Sequence, residues 1–157
     1  MQSRLLALSI GKRFALEVSG RAMRIQGVVQ EGEGDASFWL SKYSAVYQSW
    51  TGMTIIPGSF NLRLAAKFDW DAASVEPFKR VHSLTPYGGN RDICLIPCEV
   101  YRGETDKIYG FAWATTHAAN DFDYRVLEII TSVRLREVLQ LSNGSVVTIE
   151  IPVSWKD

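Results

Sequence analysis

The chain reads as a series of short β-rich runs, and no long helical run separates one from the next. Strands connected in this way cannot cover the faces of a parallel sheet with crossover helices. Layered Rossmann and P-loop architectures are therefore disfavoured. Closing an antiparallel sheet on itself removes its edges without such helices. The expectation is a mainly β, compact closed β-barrel with two short helices.

The runs can be placed from their periodicity. Met23 to Val29 alternates as a strand, and Glu31 to Asp35 is a Gly-containing loop. Phe38-Trp39-Leu40 is apolar and reads as extended. Tyr43, Val46, Tyr47 and Trp50 follow at helical spacing, with Gly52 as the stop. Leu62 to Phe68 reads as a strand. Ile93 to Tyr101 and Ile108 to Ala114 flank Gly103-Glu104-Thr105-Asp106, which predicts a hairpin. Val126 to Ile130 is a further strand, and Ser132 to Leu139 a short helix. Ser142-Asn143-Gly144 is a turn signal before a closing strand over Val146 to Val153. Residues 1 to 20 fit either a helix or a strand pair and form a poorly defined N-terminal extension. With no repeat or linker, residues 1–157 read as a single domain.

Charge and cysteine content narrow the function classes. Lys plus Arg and Asp plus Glu are 17 each, so the basic excess typical of nucleic-acid binders is missing. Cys94 and Cys98 lie in a strand-like run without His or Cys partners, which fits two buried free thiols of a cytoplasmic protein rather than a zinc knuckle. No apolar run reaches the roughly 18 residues of a membrane span. Lys12 and Arg13 directly follow the short apolar N-terminal stretch, so it reads as part of the fold and not as a signal peptide. His82 and His117 are isolated, and no nucleophile elbow, CxxC pair or HExxH is present.

Four segments carry candidate chemistry. In Glu31-Gly32-Glu33-Gly34-Asp35 the glycines can turn backbone N–H groups toward an anion, or form a plain turn. The three carboxylates there would repel a phosphate unless a cation intervened. In Pro57-Gly58-Ser59-Phe60-Asn61-Leu62, Ser59 and Asn61 alternate and should share a face. Their hard neutral oxygens suit Mg²⁺ when phosphates supply the charge. The alternative is local bonding to the backbone. In Ser132-Val133-Arg134-Leu135-Arg136, Ser132 is an N-cap candidate. Arg134 and Arg136 then oppose the helix dipole unless an anion binds there, or they pair with acids such as Glu137. Glu128 interrupts the apolar run Val126 to Ile130 and points to solvent or into a cavity. The five Trp, six Tyr and seven Phe serve either a core or a pocket for a flat ring.

These segments, in this order from about Ile25 to Ile151, resemble the archaeal-type CTP-dependent riboflavin kinases. The resemblance rests on Gly32-Glu33-Gly34, Phe38-Trp39-Leu40-Ser41, a helix with Tyr47, and Gly52. It continues through Pro57 to Leu62, Leu127 to Ile130, Leu135-Arg136, and the turn from Leu141 to Gly144. It implies a riboflavin-kinase-like barrel of the cradle-loop type that transfers the terminal phosphate of CTP to the riboflavin 5′-hydroxyl, giving FMN and CDP. Gly32, Glu33, Gly34, Asp35, Ala36 and Ser37 would wrap the nucleotide, and Val133, Arg134, Leu135 and Arg136 would form its other wall. Ser59 and Asn61 would hold Mg²⁺. Asn120 and Glu128 would bind riboflavin, with Glu128 also a candidate base.

The sequence departs from the family pattern at several of these positions. Ser59 replaces a Thr, Ala36 and Ser37 replace a Gly and a basic residue, and Asn120 stands where a Thr is expected. Thr131-Ser132 replaces an Ala-Pro. The implied partners are riboflavin/FMN and CTP/CDP, with neither nucleic acid nor membrane, in a cytoplasmic monomer or small homo-oligomer. The segment before Arg24 is too short for the winged-helix domain of longer relatives. Two other readings stay open: a non-catalytic flavin- or nucleotide-binding barrel, and a kinase of a different small alcohol.

Overall fold

The computed structural model describes residues 4–7, 15–18, 22–32, 36–115 and 125–152. Among them nine strands form one antiparallel sheet. They are β1 (Arg4–Ala7), β2 (Ala15–Val18), β3 (Ala22–Gln30), β4 (Phe60–Arg63), β5 (Arg80–Ser83), β6 (Asp92–Tyr101), β7 (Ile108–Thr115), β8 (Val126–Ile130) and β9 (Val146–Pro152). The sheet runs β3-β4-β8-β7-β6, and β9 bonds to both β6 and β3, which closes a six-stranded barrel. The β1–β2 pair extends from the start of β3, and β5 lies along the start of β6. On one edge of β6 the partners change from β5, opposite Asp92 to Leu95, to β9, opposite Glu99 to Tyr101. Pro97, with no N–H to give, stands in the gap between them.

Strand alternation divides the apolar residues into two cores. Ile25, Leu62, Ile96, Cys98, Val100, Ala112, Leu127, Ile129 and Ile149 fill the barrel interior. Ile93, Leu95, Phe111, Trp113 and Ile130 point the other way from β6, β7 and β8. That outer face is roofed by α1 (Ala36–Lys42) and α2 (Ser44–Thr51), through Leu40, Tyr43 and Tyr47. Cys94 and Cys98 are buried free thiols, as their strand setting implied, and burial pushes the Cys98 thiol up to about 12.

Several local expectations change. Phe38-Trp39-Leu40 is helical, not extended. Three consecutive apolar residues imitate a strand, yet only Leu40 is buried, while Phe38 and Trp39 remain 59% and 45% exposed. Leu40, Tyr43 and Tyr47 carry one helical stripe across both helices. The described residues therefore hold three α-helices rather than two, the third being α3 (Leu135–Val138). Ser132 does not cap α3: Arg134 occupies the cap position with extended backbone and no side-chain cap bond. β4 ends at Arg63, earlier than the expected Phe68, and Leu64 adds one further bond to the Arg125 carbonyl. The hairpin between β6 and β7 and the turn ending at Gly144 (φ 95°) form as expected. Among the described residues no helix is long and apolar enough to cross a membrane.

On the barrel exterior, Glu150 joins three strands and the β6–β7 hairpin. Its carboxylate accepts from Arg24 Nε at 2.9 Å, Lys107 Nζ at 3.1 Å and Tyr101 OH at 3.1 Å. Burial alone would raise its pKa, but the bonds from Lys107 and Arg24 outweigh that and hold it below its ordinary 4.5. A depressed folded pKa contributes stability above the unfolded value, and that stability disappears as pH falls through the folded value. Urea denaturation should show wild-type stability declining as pH drops below about 4.5, with a shallower decline in Glu150→Gln. At neutral pH the substitution should cost about 1–2 kcal/mol, because the partly exposed Arg24 and Lys107 can rehydrate. Parallel pH profiles for the two proteins would refute this account.

Candidate active site

Glu128 lies on β8 between Leu127 and Ile129, whose side chains enter the barrel. Alternation turns Glu128 to the opposite face, beneath the helical roof, so it lines a cavity and not open solvent. In register it stands between Asn61 of β4 and Trp113 of β7. Ser59, two residues before Asn61, shares the outward face, and its hydroxyl donates to Glu128 Oε1 at 2.7 Å. Burial raises the Glu128 pKa, and the Ser59 bond partly offsets this.

Two cavities, each of about 250 Å³, meet at this hydrogen bond. The first lies under the roof and includes Glu128. Trp39, Tyr43, Tyr47 and Trp113 give it aromatic walls, Leu84 and Ile93 add apolar surface, and Gly89-Asn90-Arg91 edge it. The second includes Ser59. It is bounded by the Pro57–Phe60 turn on one side and by Val133, Arg134, Leu135 and Arg136 on the other. Ser59 and Glu128 thus connect an aromatic slot to a groove lined by Arg134 and Arg136.

The groove is tied to the start of the glycine loop. Arg136 Nη2 donates to the Gln30 carbonyl at 3.2 Å and to Asn143 Oδ1 at 2.7 Å, and it lies 4.0 Å from Glu31. Asn143 Nδ2 in turn donates to Glu31 Oε1 at 3.3 Å. The tension of a positive charge near the start of α3 is therefore relieved for Arg136 by protein acceptors. Arg134 is exposed and lines the groove. Gly32 packs against the same centre: a Cβ there would lie 2.6 Å from Asn61 Nδ2, so only glycine allows this approach.

Asn61 is buried, and its Nδ2 donates to the Ser59 carbonyl at 3.3 Å. Its carboxamide oxygen receives no hydrogen bond among the described residues, which leaves a hard neutral donor two residues from Ser59 in the same turn-to-strand segment. This pair fits Mg²⁺ held jointly with phosphates. It does not form an all-protein cage, and no group of three or more His, Cys, Asp or Glu that could hold a metal occurs among the described residues.

The expected residues Gly32, Ser59, Asn61, Glu128 and Val133 to Arg136 come together around one centre. Ala36 lines the aromatic cavity rather than the groove, and Ser37 is exposed on α1. Glu33, Gly34, Asp35 and Asn120 lie outside the described residues. Sequence reasoning did not single out Trp39, Tyr43, Trp113 and Thr115 as lining residues. The signal for the last two was the outward alternation Phe111, Trp113, Thr115 on β7, the face that pairs beside Glu128.

The fold and site define a closed antiparallel barrel with a two-compartment ligand centre at the junction of β4, β7 and β8. The family model described as "CTP-dep_RFKase: Domain of unknown function DUF120" matches residues 29–151, and the chain belongs to that family. It is also similar to the riboflavin kinase of Aeropyrum pernix, with 29% identity over 122 residues, covering 76% of this chain and 88% of the relative.

Proposed function

We propose that this protein phosphorylates riboflavin on its 5′-hydroxyl, with CTP as the donor and Mg²⁺ as the metal. The observation that carries the reading is the Ser59–Glu128 bond, where an aromatic cavity meets a groove lined by Arg134 and Arg136. The aromatic cavity takes the flavin ring, and the groove takes the nucleotide phosphates beside Arg134. The hydroxyl oxygen attacks the terminal phosphorus, the bond to the bridging oxygen breaks, and CDP leaves with its electron pair. Glu128 accepts the hydroxyl proton. Ser59 and Asn61 would hold the metal, which would neutralise charge on the transferring group. The rest of the catalysis is positioning by the barrel.

Incubation with riboflavin, Mg²⁺ and each of CTP, ATP, GTP and UTP, followed by chromatography, tests this directly. FMN should form with CTP and vanish when the metal is chelated. FMN from ATP alone would overturn the donor assignment but keep the kinase. Riboflavin binding without FMN from any nucleotide would favour the non-catalytic barrel. Absence of riboflavin binding, with metal-dependent CTP hydrolysis retained, would favour a different alcohol.

A further inference from the structure

We infer that the Tyr47 and Thr115 hydroxyls form a recognition pair in the aromatic cavity, reading the carbonyl/N–H edge of the flavin's pyrimidine ring. The inference rests on the riboflavin reading above and deepens it. Tyr47 is 1% exposed, and its hydroxyl accepts the Trp113 Nε1–H at 2.9 Å. That bond uses a lone pair of the phenol and leaves the phenolic proton without an acceptor among the described residues. Burial pushes the Tyr47 pKa up to about 12, so the proton stays in place as a donor. Thr115 follows Trp113 by two residues on β7 and so shares its outward face. Its hydroxyl oxygen is buried and has no partner among the described residues. Both residues line the same cavity.

Buried polar atoms without partners are costly, and a site built this way favours a ligand that satisfies them. Apart from Glu128 and the Asn90-Arg91 edge, its walls are mostly apolar and aromatic, so it suits a flat ring entering with its polar edge toward these hydroxyls. The flavin pyrimidine edge places an N3–H between two carbonyls. With one lone pair of its oxygen taken by Trp113, Tyr47 offers its phenolic proton, so it meets a carbonyl. Thr115 can accept, so it meets N3–H. A purely apolar ring of the same shape leaves both hydroxyls unpaired.

Fluorescence titration of the full chain with riboflavin and N3-methylriboflavin tests the pair. Tyr47→Phe and Thr115→Val should each weaken riboflavin binding about fivefold to tenfold. Wild type should bind N3-methylriboflavin more weakly than riboflavin. Thr115→Val should bind the two ligands equally, because the methyl group and the substitution remove the same bond. Unchanged near-UV circular dichroism identifies the variants that remain folded. Riboflavin affinities within twofold of wild type, or a persisting preference for riboflavin over its N3-methyl form in Thr115→Val, would overturn the pair while leaving the kinase reading intact. Failure of wild type to bind riboflavin at all would overturn both.

Discussion

Replacing Glu128 by Gln is expected to lower riboflavin phosphorylation by about 10²–10⁴-fold in kcat, with riboflavin affinity changed less than about threefold. The two side chains have the same shape. The substituted carboxamide would still accept the Ser59 hydroxyl through its carbonyl oxygen, so the junction between the two cavities should persist. It cannot accept a proton. Single-turnover FMN formation measured beside a riboflavin titration separates the two roles proposed for this residue. A fall in affinity with turnover preserved would make Glu128 a ligand to the ribityl chain and not the base. Thermal melting guards against a trivial loss of fold. The fold should hold, because burial already disfavours the charged carboxylate and its one hydrogen-bond partner among the described residues, Ser59, is neutral.

The reach of the sequence reading follows from how local each signal was. Ser59 and Asn61 were legible because two residues in a turn-to-strand segment share a face whatever the rest of the chain does. Glu128 stood out as a carboxylate within an apolar strand, but its direction was not readable. It points away from the barrel interior, as a carboxylate should, and a roof from much earlier in the chain turns that exterior into a cavity. The Ser59–Glu128 contact spans 69 positions, and no local periodicity encodes it. The helix α1 was missed because its polar face carries Phe38 and Trp39, so apolar content did not report burial. The start of α3 was misplaced because Ser132 has capping chemistry, but Thr131 and Val133 bond to each other in a local bend and Arg134 is extended, so the helix begins only at Leu135. The family resemblance supplied what spacing could not, namely that distant segments converge.

Gly32→Ala is expected to leave the fold nearly unchanged while lowering turnover about 10²-fold and shifting the Mg²⁺ requirement to higher concentration. The added Cβ would stand 2.6 Å from Asn61 Nδ2 and 3.3 Å from its Cγ. The obstacle is a side-chain end, so the strand pairing between β3 and β4 can survive and thermal stability should change little. The Asn61 carboxamide must move, however, and with it the bond to the Ser59 carbonyl and the oxygen proposed to bind Mg²⁺. Misplacing a positioning group by about an ångström costs far more in rate than in stability. Asn61→Ala should show the same displaced metal requirement, because it removes the oxygen that Gly32→Ala displaces. A Gly32→Ala enzyme with normal Mg²⁺ dependence but weakened CTP binding would show that the glycine serves phosphate approach, and that Asn61 keeps its position by another route.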